Sequence, residues 1–492
     1  MAAFLALVCG LVSLASFELI LVPLQTELQF SVDNANALIF MPAAASLLVV
    51  FIAGSLADRW GPRRPLVISA ALFAAGAVMV GLAPNLMWVV VGRVFDGVSG
   101  VTMAIVSLSV INSSSVDPGR RARLFGIYAA VAPAMFIVSP AVSALIVQSA
   151  GWRAAVIPWI LVSGASLAAT LRYIPRTKAS SGREWVTPLL AGVVLAGVAL
   201  GILNFTTHPT VALGAFVAAV VALVMLVPLM RRMSAPALNL GWCRGRGMFI
   251  LLAALAVASM PNLFFYTKLL LQYRYVVPLI EIALLMAIPQ ACAIAGGLLS
   301  GPISARIGSV RAATGALVLS AVACLSVFFV TGQSPIWVPV LAMSLCAAPM
   351  AFLVGPMTNS FLSRAPAEAS GAASSMRKAT WTIGGVVGGA VIGAISFSAF
   401  QSRLAGLLES SGVTASHAEL LARDIRNGAV VDELVAKVTD PRTVEALVSK
   451  GPALLEAQST TFVVMGVVSA CMYLAGALLM LTYQRRMSSG EL

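Results

Sequence analysis

Three ionisable residues lie inside long apolar segments and are the first candidates for proton chemistry. Glu18 is the only acidic residue within residues 2–24, and Arg93 and Asp96 lie within residues 86–111. Burial disfavours the charged form of a carboxyl, so that it protonates nearer to neutral pH, as a proton carrier requires. We therefore predict that Glu18 carries a proton. The alternative is that its side chain simply reaches water at the outer end of its segment.

Arg93 and Asp96 form a second candidate for proton coupling. Their spacing of three residues places both side chains on one face of a helix. A charge in the middle of a membrane is costly unless it is paired or hydrated. The pair could relay protons, with the arginine tuning the carboxyl. It could equally be a self-neutralised structural pair, because a neighbouring arginine favours an ionised aspartate.

The elements that must position these residues are membrane-spanning helices. Of the 492 residues, 60 % are hydrophobic and 10 % are charged, and the mean hydropathy of +0.98 excludes an ordinary soluble domain. Apolar runs of about 18 or more residues are typical of transmembrane helices. The sequence contains fourteen such runs, at 2–24, 35–57, 65–83, 86–111, 123–148, 152–171, 185–206, 209–230, 248–272, 279–303, 311–331, 335–362, 371–400 and 460–483.

The net charge of +13 is explained by membrane topology. Lysine and arginine collect in the cytoplasmic loops of membrane proteins. If the N-terminus is cytoplasmic, the loops after even-numbered spans and the C-terminus contain most of the 31 basic residues. We predict a multi-pass protein of the inner (plasma) membrane with both termini in the cytoplasm. No nucleic-acid partner is expected, since no basic stretch is interleaved with exposed aromatic residues.

A charged loop between spans 2 and 3 recurs between spans 10 and 11. The first copy, GSLADRWGPRR, contains Gly54, Asp58, Arg59, Gly61, Arg63 and Arg64. The second, GPISARIGSVR, keeps Gly301, Arg306, Gly308 and Arg311 and has Ala305 in place of the aspartate. Six spans therefore repeat as six, with spans 7 and 8 inserted between them. Two bundles related in this way are typical of transporters.

These residues and the span count resemble the major facilitator superfamily. Residues 54–64 match its G-x-x-x-D-R-x-G-x-R-R signature, and fourteen spans with a long loop before the last resemble its drug:proton antiporter branch. The resemblance implies an all-α membrane fold with six-helix bundles at 1–171 and 248–492, joined by 172–247 with two extra transmembrane helices. It also implies that loop 54–64 holds the two bundles together in one of the two states of the transport cycle, inward-open or outward-open. A plain basic loop that orients the chain is the alternative, and Ala305 predicts an asymmetric charge latch.

Lys268 is nearly the repeat-mate of Glu18, because the two precede Gly301 and Gly54 by 33 and 36 residues. They could face each other across a central cavity, or Lys268 could reach the outer surface. Several large side chains could line such a cavity or could instead face lipid. These are Tyr266, Met135 and Trp381, together with Phe264 and Phe265.

The remaining features limit the function without naming a substrate. Span 5 has only Ser139–Ala144 where the antiporters carry G-x-x-x-G-P-x-x-G-G, which weakens the assignment to export. No phosphate-binding loop for ATP, no cofactor site, no metal site and no catalytic constellation is recognised. The loop 401–460 predicts two short amphipathic helices at 416–438, either a cap on the outer mouth or a spacer.

We therefore predict a proton-driven secondary transporter rather than an enzyme. Efflux of amphipathic small molecules, with drug-like cations as one candidate class, is the preferred interpretation. Uptake of a metabolite or organic anion by proton symport is the first alternative, and a lipid-handling or accessory membrane protein on the same scaffold is the second. The expected partners are a small-molecule substrate, protons and membrane lipid, with a periplasmic adaptor as a further candidate in a cell that has an outer membrane.

Overall fold

A computed structural model describes residues 1–30, 32–114, 117–176, 185–205, 209–232, 241–243, 245–275, 277–366, 369–410, 414, 416, 418–421 and 452–489. The main helices are α1 (Ala2–Leu28), α2 (Val32–Trp60), α3 (Arg63–Gly81), α4 (Leu86–Ser113), α5 (Pro118–Ala150), α6 (Ile157–Tyr173), α7 (Val186–Asn204), α8 (Pro209–Arg232), α9 (Arg246–Ser259), α10 (Leu263–Tyr273), α11 (Leu279–Ile307), α12 (Ser309–Cys324), α13 (Trp337–Leu362), α14 (Ser370–Ser410) and α15 (Pro452–Ser488).

The helical count confirms the predicted fold class. Within the described ranges, fourteen helical segments are long and apolar enough to cross a membrane, and α9 and α10 together form one of them. Helices dominate because a chain in lipid must satisfy its backbone hydrogen bonds within each spanning segment. The six cysteines are free thiols.

Span 9 is broken, whereas the sequence prediction treated 248–272 as one continuous span. The helix α9 ends at Ser259 and α10 begins at Leu263. Pro261 lies in the gap, and a proline lacks the N–H that a continuous helix needs. The break packs on the glycine-rich part of α14, where a β-carbon at Gly388 would collide with the backbone of Met260. Tyr266 links α10 to α14, because its hydroxyl donates a hydrogen bond to the Gly389 carbonyl at 3.2 Å.

The last two long helices extend beyond the spans that hydropathy predicted. The helix α14 has 41 residues and α15 has 37, whereas about 20 residues suffice to cross a bilayer. Their extensions pack together through a small apolar cluster and an ion pair between Arg403 and Glu456. Part of loop 401–460 is therefore helical. The predicted amphipathic pair at 416–438 falls mostly outside the described residues.

Two large cores divide the helices. One core draws all its buried members from residues 2–174, including Phe17, Phe73 and Trp159. The other draws most of its members from residues 248–483, with a few from the first six helices. We call α1–α6 the first half and α9–α15 the second half. This packing supports the proposal that each half is a six-span bundle.

The inserted pair α7 and α8 lies at the side of the two halves. The helix α7 packs against both α2 and α14, and α8 packs mainly against α7. Leu47, Ala196 and Ile383 meet in one small apolar cluster at this junction. The outer face of α8 carries exposed valines and leucines, as expected for a helix in contact with lipid.

The two copies of the charged loop make the same turn. Gly61 has φ +71° directly after α2, and Gly308 has φ +87° directly after α11. Residues with a β-carbon rarely adopt this left-handed backbone region. The next helix begins at Arg63 in the first copy and at Ser309 in the second. A chain of contacts places both loops at the same end of the bundle. Asp58 bonds to the start of α14, where Asn112 also bonds to Ser370. Asn112 bonds as well to Leu362 at the end of α13, and Asn359 of α13 bonds to Ser309 of the second loop. We call this end the motif end.

Candidate functional site

Asp58 joins the two halves at the motif end. Its Oδ1 accepts the N–H of Gly371 at 2.6 Å, and its Oδ2 accepts the N–H of Ala372 at 2.8 Å. These N–H groups belong to the first turn of α14, where they have no partner within the helix and where the helix dipole favours a negative charge. The carboxylate on α2 therefore caps a helix of the other half.

A close helix crossing accompanies this cap. A β-carbon at Gly54 would collide with the Gly371 carbonyl and the Ser375 side chain. The Ser375 hydroxyl donates to the Val50 carbonyl at 2.7 Å. The other charged side chains of this loop are less enclosed, with Arg59 and Arg63 partly buried and Arg64 exposed.

The second copy packs in the same way but carries no charge across the halves. A β-carbon at Gly301 would lie 2.7 Å from the Cα of Arg123 on α5. The N-terminus of α5 is capped by its own Asp117, which accepts the N–H of Arg120 at 2.7 Å. Ala305 offers no carboxylate to that terminus, and Arg306 and Arg311 are exposed. The packing is thus repeated, while the ionic cap between the halves is present in one copy.

Further polar contacts hold the motif end together, and sequence patterns did not single them out. Arg121 Nε donates to Asn359 Oδ1 at 3.1 Å. Asn112 Nδ2 donates to Ser370 Oγ at 3.3 Å and to the Leu362 carbonyl at 3.4 Å. The amide and hydroxyl residues among them give little hydropathy signal, and all the partners lie far away in the sequence.

Arg93 and Asp96 form an ion pair enclosed within the first half. Arg93 Nη1 lies 2.6 Å from Asp96 Oδ2, and each side chain is 2 % exposed. Arg93 Nε also donates to the Leu38 carbonyl at 3.3 Å, and its guanidinium lies 3.9 Å from the centroid of the Phe17 ring. The pair is neutral overall and shielded from water. Both interpretations stay predictions, and the enclosure of the pair is what a structural role requires, although Asp96 Oδ1 has no hydrogen-bond partner among the described residues.

Glu18 and Lys268 meet between the halves. Lys268 Nζ on α10 lies 3.4 Å from Glu18 Oε2 on α1. The lysine side chain is 39 % exposed and that of the glutamate is 51 % exposed. Protein therefore leaves about half of this carboxylate uncovered, although its ion pair links two helices from different halves. A carboxylate in this position can take up a proton, and its protonation would remove its attraction to Lys268 on the other half.

The predicted cavity residues pack against different halves of the fold. Trp381 is partly buried and contacts the guanidinium of Arg377, 5.0 Å from its ring centroid. Met135 is partly buried and packs against the first core, whereas Tyr266 is buried with its hydroxyl bonded to α14. Of the two neighbouring phenylalanines, Phe264 is partly buried against the second core and Phe265 is 46 % exposed.

The comparison with known protein families decides the classification. The sequence model of the Major Facilitator Superfamily matches residues 3–389. The chain belongs to this superfamily. This major facilitator is 27 % identical over 415 residues to the multidrug resistance protein Stp of Mycobacterium tuberculosis, covering 80 % of this chain and 73 % of that protein. It is 25 % identical to the methylenomycin A resistance protein of Streptomyces coelicolor, covering 76 % and 78 % of the two chains.

This major facilitator has a fold similar to that of solved transporter structures. The human organic anion transporter MFSD10 (TETRAN) superimposes with a TM-score of 0.59 and covers 97 % of this chain and 98 % of that chain. The identity is 13 %, so this likeness shows the fold alone. The predicted family resemblance is confirmed, and the protein is a multi-pass membrane transporter of the superfamily with drug-resistance proteins among its relatives.

Proposed function

We propose that the chain is a proton-coupled secondary transporter that exports amphipathic small molecules by alternating access. One observation carries the proposal. The halves are joined at the motif end by the partly buried Asp58 and the N-terminus of α14, whereas the Glu18–Lys268 pair between the halves is largely uncovered by protein. A protein that closes one end of its interface and leaves a polar site accessible matches one state of an alternating two-state transporter.

The charge distribution supports an orientation for this state. Arg59, Arg63, Arg64 and the basic residues at the start of α5 all lie at the motif end. Excess lysine and arginine mark cytoplasmic loops. The motif end then faces the cytoplasm, both termini are cytoplasmic, and the described state is outward-facing.

Glu18 is the proposed site of proton coupling. In the outward-facing state it is half-exposed and paired with Lys268, and the proposal requires that water reaches it from outside. A proton taken up from outside neutralises the carboxylate and cancels this attraction between the halves. Proton binding thereby biases the equilibrium between the two states, and the proton leaves on the cytoplasmic side when that end opens. The gradient supplies the energy, and the transporter needs no cofactor and performs no covalent chemistry.

The relatives support export as the direction. Their names refer to multidrug and methylenomycin A resistance, which for this chain suggests removal of small molecules from the cell. The partners are then the small molecule, protons and lipid, while a periplasmic adaptor stays a prediction. Proton symport into the cell is the second candidate, because Ser139–Ala144 lacks the glycines of the antiporter signature.

Transport by the reconstituted full chain tests the proposal. In proteoliposomes with an acidic lumen, inside-out molecules are expected to accumulate ethidium or an anionic naphthalene dye, and nigericin is expected to abolish accumulation. Glu18→Gln should lose the dependence on the pH gradient. Glu281→Gln, at an exposed position at the start of α11, is the matched control and should keep it. Accumulation driven by the opposite gradient supports symport, and equal activity of Glu18→Gln overturns the coupling role.

A further inference from the structure

Arg377 on α14 is buried, and no carboxylate of the described residues pairs with it. The residue is 3 % exposed, and its Nε has no hydrogen-bond partner in the part of the chain that the structure describes. None of the salt bridges found in the described ranges involves it. Arg93, the other arginine buried this deeply within a span, has Asp96 at 2.6 Å. A buried cation that lacks a carboxylate is energetically costly, so its retention calls for an explanation.

Two aromatic rings from different helices cover this guanidinium. Its central carbon lies 5.0 Å from the Trp381 ring centroid on the same helix and 6.0 Å from the Tyr128 ring centroid on α5. Aromatic faces attract a cation, and the Tyr128 side chain is also a hydrogen-bond partner of the guanidinium, but Nε is left without an acceptor in the described ranges. Trp381 and Tyr128 are only partly buried, so the rings form a cover and not a sealed core.

The position of this cluster ties it to the opening of the motif end. Arg377 lies about two turns along α14 from Ser370, next to the turn that Asp58 caps. Tyr128 belongs to the first half and Arg377 to the second. The opening of the motif end that the proposed function requires would move Tyr128 away and expose the guanidinium from that side.

The charges around the interface are also unbalanced. Glu18 is matched by Lys268, and Arg93 is matched by Asp96. Arg377 is followed by Lys378, a partly buried residue that is absent from the ion pairs of the described ranges. Even with the Asp58 carboxylate counted against them, Arg377 and Lys378 leave an excess of positive charge at the start of α14, and an anion entering from the motif end would be attracted to it.

We propose that Arg377, covered by Trp381 and Tyr128, binds the anionic group of an aromatic, amphipathic substrate. The inference rests on the proposed function and narrows its substrates to compounds that carry a carboxylate or sulfonate beside an apolar ring. The planar guanidinium donates two parallel hydrogen bonds to such a group, and the rings contact its apolar part. When the motif end closes, Tyr128 and Trp381 again cover the guanidinium of Arg377. The guanidinium then binds the anion less tightly, which favours release of the anion at the other end.

Binding of three matched probes to the purified full chain tests this assignment. Naphthylacetate, naphthylacetamide and naphthylmethylammonium share one ring system and differ in charge. By equilibrium dialysis, the wild-type chain is expected to bind the acetate about tenfold or more tightly than the other two. Equal binding of all three probes, or tightest binding of the ammonium, overturns the proposal without recourse to any variant.

Variants then locate the anion site. Arg377→Gln should remove the preference for the acetate while leaving binding of the amide nearly unchanged, and Arg377→Lys should keep part of the preference. Arg172→Gln, at an exposed position at the end of α6, is the charge-matched control and should leave all three affinities unchanged. Asp58→Asn should tighten binding of the acetate, because it favours an open motif end. An Arg377→Gln chain that retains the full preference contradicts the assignment.

The outcomes separate this inference from the proposed function. If gradient-driven, Glu18-dependent transport persists and no anion preference is found, the inference fails and the proposed function stands. If the anion preference is found and the pH gradient drives no transport, the proposed coupling fails and the binding site stands.

Discussion

Asp58 on α2 and Gly371 on α14 are joined by a hydrogen bond of 2.6 Å, from the Gly371 N–H to Asp58 Oδ1. The bond crosses from one half of the transporter to the other and ends on an otherwise unpaired group of a helix N-terminus. A single carboxylate therefore both satisfies the start of α14 and links the halves. Opening the motif end must break this contact and leave those N–H groups to water.

Removing the charge of Asp58 should loosen the motif end. An ionised side chain at a helix N-terminus contributes about 0.3–1 kcal/mol, and up to about 2 kcal/mol when partly buried. We expect Asp58→Asn to increase severalfold the rate at which an impermeant maleimide labels a cysteine introduced at the buried Ser374. Asp117→Asn is the matched control, because Asp117 caps its own helix α5. Equal labelling of the Asp58 variant and the wild type contradicts a latch at this residue.

The second copy lacks a carboxylate at residue 305. The effect of introducing one should depend on whether Asp117 still caps α5. The N-terminus of α5 already has a cap, so Ala305→Asp alone is expected to leave labelling at Ser374 unchanged or to raise it by repulsion. Combined with Asp117→Ala, the same substitution should reduce labelling, because the new carboxylate can then cap α5 across the halves. The double-mutant cycle should be clearly non-additive. Additive effects would show that the α5 N-terminus and residue 305 do not interact.

The close crossing at Gly54 should tolerate no side chain. A β-carbon there would collide with the Gly371 carbonyl, and overpacking of this kind costs about 1–3 kcal/mol. We expect Gly54→Ala to lower transport about tenfold or more in proteoliposomes. Gly164→Ala on α6, where a β-carbon meets nothing within 4 Å, should transport like the wild type. Wild-type transport by both variants would rule out a tight crossing as a requirement.

The Arg93–Asp96 pair should contribute to the stability of the fold and not to proton coupling. Breaking a buried pair by removing one partner costs about 3–5 kcal/mol, because an uncompensated charge remains. Asp96→Asn is therefore expected to lower the melting temperature sharply, while Arg93→Met combined with Asp96→Leu should recover most of the loss. The double variant should keep the pH dependence of transport. A double variant that is stable but no longer responds to the pH gradient would instead assign the pair to proton coupling.

How far the sequence predicts this structure depends on the type of interaction. Apolar runs predict the spans because length and hydropathy are local properties, and the positive φ of Gly61 and Gly308 follows from a repeated glycine in a short charged turn. The repeat offset also anticipated that Glu18 and Lys268 could meet. The break before Leu263 was missed although Pro261 signals it, because the flanking residues are continuously apolar.

The contacts of the candidate substrate site were less accessible to sequence reasoning. Arg377 and Trp381 share a face of α14 and can be recognised from their spacing of four residues. Tyr128 lies on another helix far away in the sequence, and no periodicity links it to Arg377. That no described carboxylate pairs with Arg377 is likewise a property of the packed helices, because sequence alone does not say which acidic residue approaches it.

Distances between spin labels at the two ends of the transporter test alternating access most directly. One pair joins exposed positions at the motif end, Arg64 and Arg306, and the other joins Leu82 and Phe329 at the opposite end. In nanodiscs, lowering the pH and adding an amphipathic probe should lengthen the first distance and shorten the second in the same molecules. Two distances that stay constant, or that lengthen and shorten together, would contradict a transporter that opens its ends in turn.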